Sequence, residues 1–200
     1  MSEYTALMNT APSRKQLTHD RIVTTAAKAI RRGGFHGVGV ADIMKEAGLT
    51  HGGFYAHFAS RNALLTEALE RAGQEGASRV AKEVETRRRQ GASAFRALVD
   101  AYLSERHLGA PERMCAVAAL ASEIPRQSPE VRKAAAQRVR DLIAMVAHSL
   151  PADVPSAPVI ACQLVGALQL SRALGDNAEG RALLTTTRNA LLAQFDRPAP

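Results

Sequence analysis

Apolar residues recur at helical spacing along almost the whole chain. Ile22, Ala26, Ala29 and Ile30 share one face of a segment that begins near Thr18, a plausible cap, runs to Arg32 and is stopped by Gly33 and Gly34. Val40, Ile43, Met44 and Ala47 then fall at i, i+3, i+4 and i+7. Gly48 follows where a helix ends in a left-handed residue, a conformation glycine adopts cheaply. Leu49 is placed to pack in the angle beyond it. Thr50 is placed to cap a second helix over residues 51–58, with Phe54 and Phe58 inward at i, i+4. Residues 39–58 therefore read as two short helices joined by a tight turn.

The rest of the chain continues in the same period. Ser60 opens a long helix reaching toward Arg89, in which Gly73 and Gly76 allow a bend or a break. Arg87-Arg88-Arg89 reads as a solvated helix end, where cations meet the negative dipole. Phe95, Leu98, Val99 and Tyr102 form the next stripe, and Gly109-Ala110-Pro111 the next break. Met114 to Ile124 is almost wholly apolar, so it is expected as a helix buried on most sides. Ser128-Pro129-Glu130 supplies a cap, a proline at the first helical position and an acid in the first turn. The helix it opens runs to about Leu150 with Val131, Ala135, Val139, Leu142 and Val146 inward. After a proline-rich loop at 151–158, Val159–Leu174 is apolar nearly all round and needs cover on both sides. Arg181–Phe195 carries Leu184, Leu191, Leu192 and Phe195 on one face. No strand-like alternation and no internal repeat is seen, and the fold class is all-α.

Charge sharpens this picture. Of a formal net charge of +7, residues up to Arg61 hold eight Lys/Arg against four Asp/Glu, a net +4 in under a third of the length. A basic N-terminal region beside a helix that exposes His51, Gly52, Gly53, Tyr55 and His57 fits a polyanion partner. An ordinary helical hairpin would leave Tyr55, His57 and Arg61 as unexplained polar choices beside a core.

Residues 18–65 resemble the N-terminal domain of the TetR family of transcriptional regulators. The likeness rests on Gly33-Gly34-Phe35, Asp42-Ile43, Ala47-Gly48, Gly52-Gly53-Phe54-Tyr55-Ala56-His57-Phe58, a cap at Ser60, the basic Arg61 and Leu64-Leu65. The sequence departs from the family at Val38, Gly39 and Ala41, where hydroxyl and basic or polar residues are usual, so that only backbone N–H groups remain there to meet phosphate.

The resemblance implies a disordered basic arm at 1–17 and a helix-turn-helix DNA-binding domain at 18–65, with its recognition helix at about 50–58. It implies a ligand-binding and dimerisation domain at 66–195 and a tail at 196–200. It also implies that Thr50, His51, Gly52, Gly53 and Tyr55 face the major groove of a double-stranded, near-palindromic operator, while His57 and Arg61 meet phosphates. The last two long helices, about 159–174 and 181–195, would pair with their mates in a homodimer, with Leu168 and Leu191 inside that interface. A small, largely apolar effector of unknown identity would sit among Phe95, Leu98, Tyr102, Met114, Cys115, Val117, Ala118, Leu142 and Met145, and would release a repressor from its operator.

Other classes were weighed against this. A DNA-binding architectural protein that senses nothing is disfavoured by nearly uncharged central helices fit to line a cavity. A helical enzyme or lipid carrier is disfavoured by the Gly52–His57 stretch. No nucleotide-binding, hydrolase or metalloprotease motif occurs, and the histidines form no ligand pair, so neither an enzyme, a cofactor nor a metal is expected. Cys115 and Cys162 lie far apart in apolar runs, which points to a reducing cytoplasm rather than a disulfide framework. Met1–Leu17 has no apolar core of a leader, and the run Val159–Leu170 is too short to span a bilayer. Cys115 opens an apolar stretch as helices do in some electrophile- and oxidant-sensing members of the family. It reads either as a small buried hydrophobe or as a sensing thiol next to Arg113.

Overall fold

The computed structural model describes residues 12–113, 115–151 and 156–196. Among these there are nine α-helices and no strand. The first, α1 (Arg14–Gly33), begins four residues before Thr18. Ser13 Oγ accepts from the Gln16 amide at 3.2 Å while Gln16 Oε1 accepts from the Ser13 amide at 2.7 Å. This reciprocal capping box draws residues 14–17 out of the expected irregular arm and into the helix. Residues 1–11 of that arm lie outside the described residues.

Helix α2 (Val40–Glu46) starts at Gly39 with no side-chain cap, as its sequence implies, and the chain turns at Gly48 with φ +69°. The following segment, His51–Ala56, is a 3-10 helix and not the α-helix expected over 51–58. Adjacent glycines give poor helical propagation, and the Gly53 amide bonds back three residues to the Thr50 carbonyl at 3.1 Å. The Thr50 hydroxyl makes no cap bond.

Ser60 Oγ accepts from the Ala63 amide at 3.1 Å and opens α3 (Arg61–Arg89), a helix of 29 residues and therefore about 43 Å long. It runs unbroken through Gly73 and Gly76. A Cβ on Gly73 would lie 2.4 Å from Cδ of Arg138, so the glycine lets the later helix close on α3. That packing offsets a propensity cost of about 1 kcal/mol per glycine. Helix α4 (Ala94–Tyr102) buries Phe95, Leu98, Val99 and Tyr102 as its stripe predicts.

A short α5 (Arg106–Gly109) and a 3-10 turn at Pro111–Arg113 precede α6 (Ala116–Leu120). The helix expected over 114–124 is thus only five residues long. Cys115 is an extended cap with ψ 128°, and Met114 lies outside the described residues. Beyond Leu120 the Glu123 amide bonds back only three residues, and Pro125, which has no N–H, sits in a 3-10 turn at Ile124–Arg126. In α7 (Pro129–Ser149) Val131, Ala135, Leu142 and Val146 are buried, but Val139 is 37% exposed. Arg138 and Val139 straddle the buried stripe, and Arg138 takes the side facing Gly73.

The last two helices, α8 (Ala157–Leu174) and α9 (Ala178–Phe195), pack tightly together. Asn177 Oδ1 caps α9 by accepting from the amides of Glu179 and Gly180 at 2.9 and 3.1 Å. A Cβ on Gly180 would strike the carbonyl oxygens of Gly175 and Ser171, so only glycine allows this approach. The apolar core has two parts. One gathers α1, α2, the 3-10 segment and the first half of α3, and extends to Ala116, Leu120, Val131 and Ala135. The other is built by α4 and α6 to α9.

Leu164, Leu168, Leu184, Leu191 and Leu192 belong to this second core. Leu168 and Leu191, expected at a dimer interface, are each 1% exposed within the protomer. The apolar side chains that α8 leaves to solvent are instead Val159, Leu170 and Leu174. Helix α8 is 18 residues long and apolar, and its inner face is seated in the core. Leu168→Ala is therefore expected to lower unfolding free energy by about 2–5 kcal/mol, measured by urea denaturation, with no change in sedimentation coefficient.

Candidate nucleic-acid interface and effector cavity

The DNA-reading candidates sit on one exposed edge. Phe54 and Phe58 are buried, their rings 5.5 Å apart, and anchor the 3-10 segment. Tyr55 stands edge-on to Phe54 at 5.1 Å and is 73% exposed, so its phenol is held out from the surface. Thr50, His51 and Gly52 are exposed as well, and Gly53 is half-buried. Nothing lies within 4 Å of a Cβ built on Gly52, which leaves the space in front of the segment open.

His57 and Arg61 are placed differently from expectation. The guanidinium of Arg61 donates through Nη2 to the carbonyl oxygen of Phe35, with Val38 O also within 3.4 Å. It ties the start of α3 to the link between α1 and α2. His57 is half-buried and shares a surface concavity with Ser13, Lys15, Gln16 and His19. Desolvation, then the nearby His19 and Lys15, hold its pKa below the usual histidine value. His19 stacks on Phe58 at 4.5 Å, and its Nε2 lies 2.6 Å from Glu67 Oε2. Lys15 and His19 were not singled out from the sequence. The Ser13-x-x-Gln16 signature could have placed them on a helix beside His57.

Polar contacts also join the head to the body. Arg31, 3% exposed, donates to the Ala72 carbonyl at 3.1 Å and to Glu75 at 2.7 Å, locking α1 on α3. Glu123, in the turn after α6, accepts from the Phe35 amide at 2.9 Å.

Beyond Ala72, α3 becomes the wall of a cavity of about 280 Å³. Gly73, Gly76, Ala77 and Val80 line it from α3, Ala116 and Val117 from α6, and Leu142 and Met145 from α7. Tyr102 and Cys115 line both this cavity and a neighbouring one of about 170 Å³. Of the expected effector contacts, Tyr102, Cys115, Val117, Leu142 and Met145 are brought together here. Phe95 instead packs edge-on to Phe195 at 6.0 Å, Ala118 is buried in the second core, and Leu98 faces a different recess with Val84 and His148. Arg138 and Asp141, 3.0 Å apart, join the rim and were missed because they sit on an exposed-looking face of α7.

This arrangement has close counterparts. Residues 22–68 match the family model for bacterial regulatory proteins of the tetR family. An uncharacterised HTH-type transcriptional regulator of Mycobacterium tuberculosis, Rv0196, is 30% identical over 189 residues, covering 88% of this chain and 95% of that protein. The chain belongs to the TetR family. Its fold is also that of solved TetR-type structures. The reduced form of E. coli NemR superposes with a TM-score of 0.73 at 18% identity, covering 92% of this chain and 99% of that one. A TetR-family regulator of Agrobacterium tumefaciens gives a TM-score of 0.70 at 24% identity over 91% of this chain and 99% of that one. Family membership makes this protein a DNA-binding transcriptional regulator, soluble and cytoplasmic in kind.

Within a TetR head, the free space before Gly52 separates two effects. Gly52→Leu is expected to leave the circular dichroism spectrum unchanged and to abolish a gel-shift with upstream DNA. Arg61→Ala is expected to act through folding, lowering stability by about 1–3 kcal/mol in denaturant titration as the Phe35 carbonyl loses its charged donor.

Proposed function

We propose that this TetR-family chain is a repressor that a small, largely apolar molecule releases from its operator. The observation that carries this reading is the course of α3. The helix that begins at Ser60, directly after the DNA-facing segment, forms the wall of the 280 Å³ cavity through Gly73, Gly76, Ala77 and Val80. A molecule filling that space presses on the same rigid rod that positions the reading head. Thr50, His51, Gly52, Gly53 and Tyr55 make the base contacts in this reading, and His57 approaches the backbone with Lys15 beside it.

A second path runs through α6. Val117 lines the cavity, and three residues after α6 ends Glu123 holds the Phe35 amide. A displacement of α6 therefore reaches the α1–α2 link directly. The effector must bind the released arrangement more tightly than the DNA-bound one, or it shifts nothing. Glu123→Gln keeps a weaker acceptor for Phe35 and is expected to reduce the ratio of operator affinities measured without and with saturating effector. A wild-type chain whose operator affinity is equal in both conditions, across a panel of apolar compounds, would reject ligand release.

The operator is read by two heads. Val159, Leu170 and Leu174, with Gly166 between them, run along the outer face of α8, and Ala182, Thr186, Ala190 and Ala193 along that of α9. Small residues on one helix and aliphatic ones on the other suit close helix–helix contact with a second copy. This face, not the Leu168 and Leu191 side, carries the proposed homodimer. Leu170→Glu is expected to yield a folded monomer in sedimentation velocity at micromolar concentration and to lose tight binding to a near-palindromic site. A dimer that survives Leu170→Glu combined with Val159→Glu would place the interface elsewhere.

A further inference from the structure

The smaller cavity carries charged side chains among an otherwise apolar lining. Arg79, Lys82, Arg106, His107 and Arg113 line it, against the single carboxylate of Glu83, which Arg106 engages at 2.7 Å. Arg79 is the unusual member. Its Nε and Nη2, the two nitrogens on one edge of the guanidinium, are both buried with no hydrogen-bond partner. Its one ion pair is long: Nη1 lies 3.9 Å from Glu75, whose carboxylate is already held by Arg31 at 2.7 Å. The side chain as a whole is 39% exposed, but these two adjacent N–H groups are closed to solvent, and together they match the two oxygens of a carboxylate.

Tyr102 supplies a further donor at the wall shared by the two cavities. It is 2% exposed, and its hydroxyl has no hydrogen bond of sound geometry. Burial first, and then the neighbouring Cys115 thiol, push the phenol well above its usual pKa, so it remains a proton donor at any physiological pH. On the other side of Tyr102 the larger chamber is walled mainly by Val80, Ala116, Val117, Leu142 and Met145, while Gln74 and the mutually paired Arg138 and Asp141, 3.0 Å apart, also line it. Gly76 and Val80 also border both spaces.

We propose that the effector of this regulator is an anionic amphiphile of the alkanoate class, with its carboxylate on the unpartnered edge of Arg79 and the Tyr102 hydroxyl and its chain in the chamber between α3 and α7. This rests on the reading that the cavity takes an effector, and gives that effector a charge and a polarity. The carboxylate completes a guanidinium that the protein's own acids leave half-served. The chain displaces no hydrogen-bonded group from the apolar chamber. A neutral or cationic apolar molecule of equal size would leave Nε and Nη2 of Arg79 without a partner.

The test is isothermal titration calorimetry on the full chain, without DNA, using decanoate, 1-decanol and decylamine. Decanoate is expected to bind at least about tenfold more tightly than 1-decanol, with decylamine weakest. Arg79→Gln should lower decanoate affinity by about tenfold or more while leaving 1-decanol binding unchanged. Arg79→Lys, which keeps the charge without the two-donor edge, should fall between. Tyr102→Phe should cost a smaller factor. Circular dichroism of each variant reports folding, and Arg79→Lys carries the test if Arg79→Gln does not fold. Equal affinity for decanoate and 1-decanol, unchanged decanoate affinity in both Arg79 variants, or no binding by octanoate, decanoate and dodecanoate would each overturn the proposal. A gel-shift with decanoate separates it from the release mechanism. Binding without release sinks only the release mechanism, and release by 1-decanol or decylamine in preference to decanoate sinks only the charge assignment.

Discussion

The peptide of Phe35 is the constraint on which the two halves of this molecule depend. Phe35 is fully buried, so its amide and carbonyl must find partners inside the protein. The amide is met by Glu123 from the turn after α6, and the carbonyl by Arg61 from the first turn of α3. One residue in the α1–α2 link is thereby held by both elements that reach the cavity. With Arg31 fixed on Ala72 and Glu75, the head has no independent seat. Its core continues without a gap into Ala116, Leu120, Val131 and Ala135. Any repacking around α6 or α7 is felt in the reading head because interiors at this density do not deform smoothly.

Helix α3 gives that coupling its direction. Its first half is a packed core element through Leu64, Leu65, Ala68, Leu69 and Ala72. Its second half changes character at Gly73 and Gly76, where missing side chains bring α7 close and leave room for a cavity alongside. The glycines that look like weak points in an isolated helix are therefore where the helix meets its neighbours. Arg79 lies just beyond, on the border between an apolar chamber and a basic one. An acid shared unequally between Arg31 and Arg79 keeps the head locked and leaves the cavity guanidinium open. One carboxylate, Glu75, thus ties the stability of the α1–α3 joint to the chemistry of the proposed effector site.

The helical class, the order of the elements and the turn at Gly48 are all legible from the residue pattern alone. Local physics governs each of these: helical periodicity, the left-handed conformation open to glycine, and capping by Ser60. The exposure of Thr50, His51, Gly52 and Tyr55 was equally legible, because Phe54 and Phe58 fix which side of a short segment is buried and leave Tyr55 on the other. Only the tertiary structure decided where long side chains end and which apolar face meets which neighbour. That Arg61 holds the Phe35 carbonyl is seen only once the α1–α2 link is placed beside it. Leu168 and Leu191 look like interface residues because a stripe does not reveal whether its cover is the chain's own core or a second copy. The stretch from Met114 to Ile124 has helical composition throughout, yet Glu123 leaves the helical course for a bond to a residue 88 positions away. Arg79 carried no signal in sequence, and Tyr102 was legible only as an apolar lining residue, since an unmet hydrogen bond exists only once every other partner has been placed.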